Sequence, residues 1–494
     1  MTIVLERETK LPLYIQVKNR ITELIHNGTL KANSKLPATR ELAASLGISR
    51  NVVISAYQEL EAEGLISSSI GRGTFVSRSA YAAKRGRTEH QSSKMSYEGL
   101  FSTGWAKYFS EAFTSLENLK QLKSDKDFIS FDPELADFFF SDINNFKKSL
   151  NAALVSSGSA LLSSNSPQGF EPLLEYLSEF LSLRGISCGK ENILIVNGTQ
   201  QGLSIVGRLF IDPGDTILLE NLTYPGALTI FRSLQTNCIG VPVNNNGINL
   251  NILENVLRRR KAKLLYTIPT FHNPLGSILP AEKRDELLQM CRENQVIIIE
   301  DDYAHELSFN GREISPLKAR DEGEGVIYMG SFSETLFPGI RLSWIVASTE
   351  IIKKLTLIKK SSDLYTNPIL QAAVLEYCRK GFLGKLIKKK VLSFKKKSNA
   401  MQKAMELYFP QEALWNKPEG GLYQWVDIPS SIDSLALLLN TRERNVIFSP
   451  DRFFSVEEWE KSGFRLSFAA ANEEQIWEGI RVIGDELKEM IYKR

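Results

Sequence analysis

The sequence predicts two parts: a small, basic N-terminal domain of short helices and a β-hairpin, and a large α/β domain with a mainly parallel sheet. The chain has 494 residues, enough for several domains at roughly 150 residues each. In the large part, short apolar runs alternate with amphipathic stretches, which is typical of an α/β fold. Residues 1–94 hold 14 Lys and Arg against 8 Asp and Glu, whereas the remaining residues hold 46 against 49. A basic head on a slightly acidic body indicates a polyanion as the partner of the head.

Composition narrows the class of protein. Hydrophobic residues make up 43% and charged residues 24% of the chain, which is ordinary for a soluble globular protein. No apolar run reaches the roughly 18 residues that span a bilayer, and the N-terminus lacks the layout of a secretory signal. The four cysteines lie far apart without a CxxC pair, and the four histidines lack metal-ligand spacing. We therefore expect a cytoplasmic protein with reduced thiols, no membrane segment and no metal site.

The first element of the basic head is a pair of short helices in "KLPATRELAASLGISRNVVISAYQELEAEGLI". Pro37 and Thr39 open the first helix, and Gly47 ends it as a left-handed C-cap. Ser49 caps the second helix, which ends before Gly64. Two short helices joined by a tight turn with glycine form a helix-turn-helix, whose second helix is free to enter a major groove.

The second element of the head is a β-hairpin. "LISSSIGRGTFV" predicts two short strands around Gly71, Arg72 and Gly73. The glycines allow the backbone to approach a phosphate or a minor groove closely, as a wing does. Helices and hairpin together predict a winged helix-turn-helix.

From Leu11 to Val76 the chain closely resembles the GntR-type winged helix-turn-helix family, through "LPATRELA", "LGISRNVV", "AYQELEAEGLI" and "GRGTFV" in that order. The resemblance implies double-stranded DNA as a partner. The residues that it places toward DNA are Arg40, Ser49, Arg50, Asn51, Gly71 and Arg72. Arginine suits phosphate and guanine contacts, and asparagine can pair with adenine. The alternative is that Arg40 and Arg50 are ordinary solvated helix surface.

The two parts are joined by a segment without periodicity. "SRSAYAAKRGRTEHQSSKMS" is polar and basic with few large aliphatic residues, as in a flexible linker. We therefore predict a DNA-binding domain at residues 1–78, a linker at 79–125 and the large domain at 126–494.

The large domain carries polar motifs where its predicted strands end. The apolar runs are "NILIV", "TILLEN", "AKLLYTIP", "VIIIEDD", "VIYMGS" and "RLSWIVAS". In a parallel sheet, ligands bind beyond the carboxyl ends of the strands. The candidate ligand-binding residues there are Gly198, Thr199, Tyr224, Asn273, Asp301, Tyr303, Ser331, Arg341 and, in "FRLSF", Arg465. "NGTQQG" follows a strand and opens a helix, so its backbone amides can bind a phosphate.

From about Ile129 onward these motifs together resemble the fold-type I aminotransferases, and most closely the aminotransferase-like domain of MocR-type regulators, which carry a GntR-type head. The resemblance implies a small C-terminal α+β subdomain and a pyridoxal or pyridoxamine phosphate cofactor. Asp301 would pair with the pyridine nitrogen, Asn273 and Tyr303 would bond the phenolic oxygen, and Tyr224 would stack on the ring. The phosphate would be held by Gly198, Thr199, Ser331 and Arg341. Arg465 would bind the carboxylate of an amino acid or effector.

One residue departs from this pattern in its chemistry. In "GSFSETLFPGIR", Glu334 stands where the family has the lysine that bonds covalently to the cofactor aldehyde. A carboxylate cannot form that bond, so we predict no catalytic residue here and a cofactor held without a covalent link. Two further departures are Ser164, in place of a tyrosine that reaches the phosphate across the dimer, and Glu134, in place of a glycine.

Three hypotheses follow. In the first, the protein is a homodimeric transcriptional regulator whose large domain senses a small ligand, either a vitamin B6 vitamer or an amino-acid adduct. In the second, it is an active aminotransferase with an appended DNA-binding head, which Glu334 disfavours. In the third, the large domain is only a dimerisation scaffold.

One more segment has a clear pattern. "GKLIKKKVLSFKKKSNAMQK" places Lys388–Lys390 and Lys395–Lys397 on one face of a helix. We predict a solvated face for these lysines rather than an auxiliary DNA contact.

Overall fold

The structure, a computed structural model, describes two separate units. Its described residues are 12–26, 28–69, 73–77, 128–132, 142–163, 166–322, 324–457, 462–469 and 471–492. The first unit belongs to the N-terminal part of the chain and the second to the remainder. The predicted linker 79–125 lies outside the described residues.

The N-terminal unit is a winged helix-turn-helix, as predicted. Its elements are α1 (Leu13–His26), α2 (Thr39–Leu46), α3 (Arg50–Ala62), β1 (Ile66–Ser69) and β2 (Gly73–Val76), with β1 and β2 antiparallel. Gly47 ends α2 with a φ of 62°, a left-handed conformation that glycine adopts without strain. Val17, Val53, Ala56 and Leu60 meet in the buried core, so one face of α3 is fixed against α1 and the other face is free.

A seven-stranded sheet is the centre of the second unit. Its strands are β4 (Ile193–Val196), β5 (Thr216–Glu220), β6 (Asn237–Val241), β9 (Ala262–Thr267), β10 (Ile297–Asp301), β11 (Val326–Ser331) and β12 (Ser343–Val346). Their order across the sheet is β4, β12, β11, β10, β9, β5 and β6. Strand β12 is antiparallel to both neighbours, and the other pairs are parallel. This agrees with the predicted mainly parallel α/β sheet.

Helices cover both faces of this sheet. They are α4 (Ile143–Leu161), α5 (Glu171–Ser182), α6 (Thr199–Phe210), α7 (Pro225–Ser233), α8 (Leu250–Arg259), α9 (Ala281–Glu293), α10 (Thr349–Asp363) and α11 (Pro368–Arg379), with the short hairpin β7 (Val243–Asn244) and β8 (Gly247–Ile248). Leu194 and Val196 of β4 pack into one core, and Ile193 and Ile195 pack into another. Successive strand residues point to opposite faces, which explains why the buried strands are apolar throughout.

The C-terminal part forms the predicted α+β subdomain. It contains α12 (Phe382–Tyr408), β13 (Leu414–Trp415), β14 (Tyr423–Ile428), α13 (Ser434–Glu443), β15 (Val446–Ile447), β16 (Ser449–Pro450), β17 (Ser462–Ser467) and α14 (Glu473–Tyr492). Four of its strands form a sheet in the order β13, β14, β17 and β16. Strand β15 pairs in parallel with β3 (Ile129–Ser130) at the start of the second unit. This pairing brings residues near 130 to the subdomain.

The predicted solvated lysine face on α12 is wrong for two of its members. Lys388, Lys389, Lys395 and Lys396 are exposed, whereas Lys390 and Lys397 are buried. Helix α12 is covered on more than one side, so its polar stripe does not lie wholly in water. The buried ammonium groups bond to backbone carbonyls instead, which compensates in part for their lost hydration.

Candidate functional site

A cavity lies at the carboxyl ends of the central strands and collects most of the predicted ligand-binding residues. Its lining residues are Thr199, Gln200, Tyr224, Ile268, Asn273, Asp301, Tyr303, Ser331, Ser333, Glu334, Arg341 and Tyr423. Gly198 and Arg465 do not line the cavity but each contacts a residue that does. The residues come from distant segments of sequence, and the parallel strands bring them together.

One end of the cavity is built to hold an anion. Helix α6 begins at Thr199, and Thr199 and Gln200 both line the cavity, so the N-terminal end of the helix, which favours anions, lies at the cavity. Gly198 precedes it with a φ of 86°, and a Cβ there would overlap the guanidinium of Arg341. Ser331 Oγ accepts bonds from Ser343 Oγ at 2.9 Å and from Ser333 N at 3.0 Å. The hydroxyl hydrogen of Ser331 is then available to an anion, alongside Arg341.

Asp301 has an unsatisfied oxygen. Its side chain is 4% exposed, and Oδ2 accepts a bond from the Tyr266 hydroxyl at 2.7 Å. Oδ1 is buried without a hydrogen-bond donor among the described residues. Burial raises the pKa of Asp301 to about 7. A buried carboxylate oxygen without a donor fits a protonated ring nitrogen, so the residues present suit the pyridine ring of the cofactor.

The remaining ring contacts already have internal partners. The Tyr303 hydroxyl donates to the Phe271 carbonyl at 2.8 Å, so it must exchange this bond in order to donate to a ligand. Asn273 Oδ1 accepts a bond from Arg465 Nη1 at 2.9 Å, which leaves the amide nitrogen as its donor. Gln200 Nε2 donates to the Tyr224 hydroxyl at 3.2 Å. The roles predicted for Asn273, Tyr224 and Tyr303 toward a cofactor stay predictions.

A buried pair, Glu220 and His272, supports the segment that carries Asn273. His272 Nε2 lies 3.0 Å from Glu220 Oε2. The carboxylate of Glu220 also accepts bonds from Thr267 Oγ1 and Ile268 N, both at 2.9 Å. Sequence reasoning missed this pair, although a glutamate at the end of a buried apolar strand was a signal for it.

Glu334 lines the cavity, and its equivalence to the family's lysine stays a prediction. Removal from bulk water raises its pKa, and the positive charges of Lys390, Arg465 and Arg341 oppose that rise. Lys390 Nζ donates to the carbonyl of Glu334 at 2.9 Å and to that of Leu336 at 2.8 Å. Burial lowers the pKa of Lys390 to about 8, although the negative charge of Glu334 acts to raise it. Sequence reasoning missed Lys390 as part of this site.

Arg465 is held by groups of the chain itself. It is 6% exposed and lies over the rings of Tyr423, at 4.4 Å, and Phe454, at 4.7 Å. Its Nη2 donates to Ser449 Oγ at 3.1 Å and lies 3.8 Å from Asp132 Oδ1. Ser449 Oγ in turn donates to Asp132 Oδ2 at 3.0 Å. An internal carboxylate therefore lies beside the arginine that was predicted to bind a carboxylate.

The candidate DNA contacts of the N-terminal unit lie on its free face. Arg40, Ser49, Arg50 and Asn51 are exposed, at the start of α2 and at the N-terminal end of α3. Arg50 Nε donates to Thr39 Oγ1 at 3.5 Å, a bond weak enough to be exchanged. The predicted wing contacts Gly71 and Arg72 lie outside the described residues, as do Ser164 and Glu134 of the large domain.

Two kinds of feature are absent from the described residues. No cluster of three or more His, Cys, Asp or Glu side chains there is arranged to hold a metal ion. Among the helices with described residues, none has the length and apolar character needed to cross a bilayer.

Fold and site together define a class of protein: a winged helix-turn-helix domain joined to a domain of aminotransferase fold. Residues 135–483 match aminotransferases of class I and II, and the chain belongs to that family. Residues 13–76 match the gntR family of bacterial regulatory proteins. The chain is therefore a GntR/MocR-type fusion of a DNA-binding and an aminotransferase domain.

The curated relatives include aminotransferases and transcriptional regulators. Aromatic-amino-acid aminotransferase 1 of Thermococcus litoralis is 37% identical over 66% of this chain and 80% of its own length. YdfD of Bacillus subtilis, described as an uncharacterized HTH-type transcriptional regulator, is 30% identical over 97% of both chains. The probable rhizopine catabolism regulatory protein MocR of Rhizobium meliloti is 29% identical over 77% of this chain and 74% of its own.

Solved structures support the fold of the large domain. The kynurenine aminotransferase of Pyrococcus horikoshii superposes with a TM-score of 0.76 at 32% identity, covering 81% of this chain and 99% of that one. LysN, the α-aminoadipate aminotransferase of Thermus thermophilus, superposes with a TM-score of 0.74 at 32% identity, covering 81% of this chain and all of that one.

Proposed function

We propose that the protein is a transcriptional regulator that binds duplex DNA as a homodimer and whose large domain senses pyridoxal or pyridoxamine phosphate without a covalent bond. The proposal rests on one cavity that has groups suited to the cofactor but has a glutamate where a covalent bond would need an amine. The anion site at Thr199 and Arg341 and the donor-free oxygen of Asp301 suit the cofactor, while Glu334 replaces the group that would bind it covalently.

In enzymes of this fold the bound cofactor serves as an electron sink for bonds at the substrate's α-carbon. Here Asp301 would hold the ring nitrogen, Tyr224 would stack on the ring, and Ser331 with Arg341 would hold the phosphate. Glu334 has neither the nucleophile nor an amine base for that chemistry. We therefore expect binding without transaminase turnover.

Charge favours the amine form of the cofactor. An aldehyde offers the Glu334 carboxylate neither a positive charge nor an N–H donor, whereas a protonated amine offers both. Arg341 and Arg465 do not remove this preference. Arg341 lies at the anion-binding end of the cavity, and Arg465 is hydrogen-bonded to Asn273 and Ser449. We therefore expect pyridoxamine phosphate to bind more tightly than pyridoxal phosphate.

The surroundings of Arg465 favour the free vitamer over an amino-acid adduct. An adduct adds a carboxylate that needs two N–H donors of an arginine. Asp132 lies 3.8 Å from Nη2 of Arg465 and shares Ser449 with it, so a second carboxylate there meets a like charge. The free vitamer does not meet this repulsion.

Calorimetry with full-length protein tests the proposal. We expect saturable binding of pyridoxamine phosphate, weaker binding of pyridoxal phosphate, and loss of both in Thr199→Ala Arg341→Ala. Glu313→Gln, at an exposed residue outside the cavity, serves as the matched control. Tighter binding of the aldehyde contradicts the charge argument, and binding of neither form supports the hypothesis of a dimerisation scaffold.

A further inference from the structure

Lys390 is an unusual lysine because it is 1% exposed within a long helix. Lysine is almost never fully buried unless its charge is paired. The ammonium donates to the carbonyls of Glu334 and Leu336, at 2.9 and 2.8 Å, so it bonds to the loop that carries the glutamate. These two acceptors fix its position, but carbonyl dipoles alone do not balance a buried positive charge.

Glu334 is the acidic residue whose backbone Lys390 contacts, and the charges of the two side chains act on each other. The charged groups that act on its carboxylate are Lys390 on α12, Arg465 on β17 and Arg341 at the anion end of the cavity. The nearby titratable hydroxyls belong to Tyr303 and Tyr423. Asn273, Ser449 and Asp132 hold Arg465, and Arg341 packs against Gly198. Of these three cations, Lys390 is the one whose side chain bonds to the segment that carries Glu334.

We propose that Lys390 is a positioning residue for Glu334: its ammonium holds the backbone from Glu334 to Leu336 and keeps the Glu334 carboxylate ionised, as an acceptor for the amino group of a bound ligand. The part about the ligand rests on the proposed function; the pairing of the two residues does not. The exchange of lysine for glutamate at position 334 is thereby balanced by a buried lysine on the neighbouring helix.

Lys390 does not replace the missing covalent lysine. Its Nζ points to the backbone of the 334–336 segment, and the residue does not line the cavity. A covalent bond from Lys390 to a ligand requires both carbonyl bonds to break and the ammonium to lose a proton. The geometry therefore points to a role through Glu334.

The pairing can be tested in ligand-free protein. Infrared difference spectra of wild type against Glu334→Gln isolate the carboxyl band of Glu334, and a pH titration of that band gives its ionisation midpoint. We expect the ionised form of Glu334 to predominate at neutral pH in wild type. Lys390→Gln keeps an amide donor for the carbonyls but removes the charge, and should move the midpoint up by about one pH unit or more. Lys389→Gln, at the exposed neighbouring lysine, should leave it unchanged.

A protonated Glu334 at neutral pH in wild type overturns the proposal even if Lys390→Gln does not fold. An unchanged midpoint in a folded Lys390→Gln overturns it as well, and reduces Lys390 to a structural anchor. The effect of Lys390 on ligand binding is tested in a separate measurement. At pH 7, Lys390→Gln should weaken pyridoxamine phosphate binding about tenfold, and should have no further effect in the Glu334→Gln background. If wild type binds no pyridoxamine phosphate, the proposed function fails while the infrared titration still decides the pairing.

Discussion

Replacing Asp301 by asparagine should weaken cofactor binding while it stabilises the ligand-free protein. The amide oxygen can still accept the bond from the Tyr266 hydroxyl, so the site keeps its shape. The donor-free Oδ1, however, becomes either an uncharged acceptor or an N–H group. Loss of a hydrogen bond to a charged group costs about 1.5–3 kcal/mol, which corresponds to a decrease in affinity of roughly 10- to 150-fold.

The effect on stability has the opposite sign. Burial raises the pKa of Asp301 in the folded protein to about 7, above its value in an unfolded chain. The folded state therefore binds this proton more tightly, and wild-type stability falls as pH rises from about 4 to about 7. At about 1.4 kcal/mol for each tenfold change in the ionisation equilibrium, the full penalty is on the order of 4 kcal/mol. Asp301→Asn lacks this penalty.

Two assays measure the two effects. Calorimetry with pyridoxamine phosphate gives the loss of affinity, and chemical unfolding of ligand-free protein between pH 5 and pH 8 gives the difference in stability. The variant should gain stability relative to wild type with increasing pH, with Glu313→Gln as the control at an exposed carboxylate. A stability difference independent of pH, or an unchanged affinity, refutes the assigned role of Asp301.

Four further predictions follow from the two units. Arg50→Ala should reduce the free energy of binding to the cognate DNA site by about 1–3 kcal/mol and relax base preference there, as measured by mobility shift against nonspecific DNA. Unchanged affinity and preference mean that α3 is not the recognition helix. Asp132→Asn should improve the affinity of a phosphopyridoxyl amino acid but not that of pyridoxamine phosphate, because only the former carries a carboxylate toward Arg465. Glu334→Lys should capture pyridoxal phosphate in a bond that borohydride reduces, and a folded Glu334→Lys without a reduced adduct means that the cavity does not bring the aldehyde to residue 334. Light scattering at micromolar concentration should return a dimer mass, and a monomer mass contradicts the proposed assembly.

The strands and the cavity were predictable from sequence for the same physical reason. Buried parallel strands are apolar on both faces, so β4, β5, β9, β10 and β11 read as continuous apolar runs. The polar residues directly after such runs, among them Asp301 and Ser331, must meet at the carboxyl edge of the sheet. The helix-turn-helix was predictable from its turn, because Gly47 ends one helix and Ser49 is the N-cap residue of the next, although the Ser49 side chain makes no capping bond.

The contacts that sequence reasoning missed join segments far apart in the chain. The stripe of lysines on α12 showed which residues share a face, but not that the segment from Glu334 to Leu336 covers Lys390. Asp132 comes close to Arg465 only because β3 pairs with β15. Helical periodicity describes one element at a time, so it cannot tell a solvated cation from one covered by another segment.

The central claim is that the cavity binds a B6 vitamer without a covalent bond. Native mass spectrometry of the full-length protein, mixed in turn with pyridoxamine phosphate and pyridoxal phosphate and then treated with borohydride, tests it most directly. We expect a dimer that carries two pyridoxamine phosphate molecules, lower occupancy by the aldehyde, and loss of both on denaturation, with no reduced adduct on any peptide of the cavity. Higher occupancy by the aldehyde, an adduct on a cavity peptide that survives denaturation, or a dimer that binds neither form contradicts it.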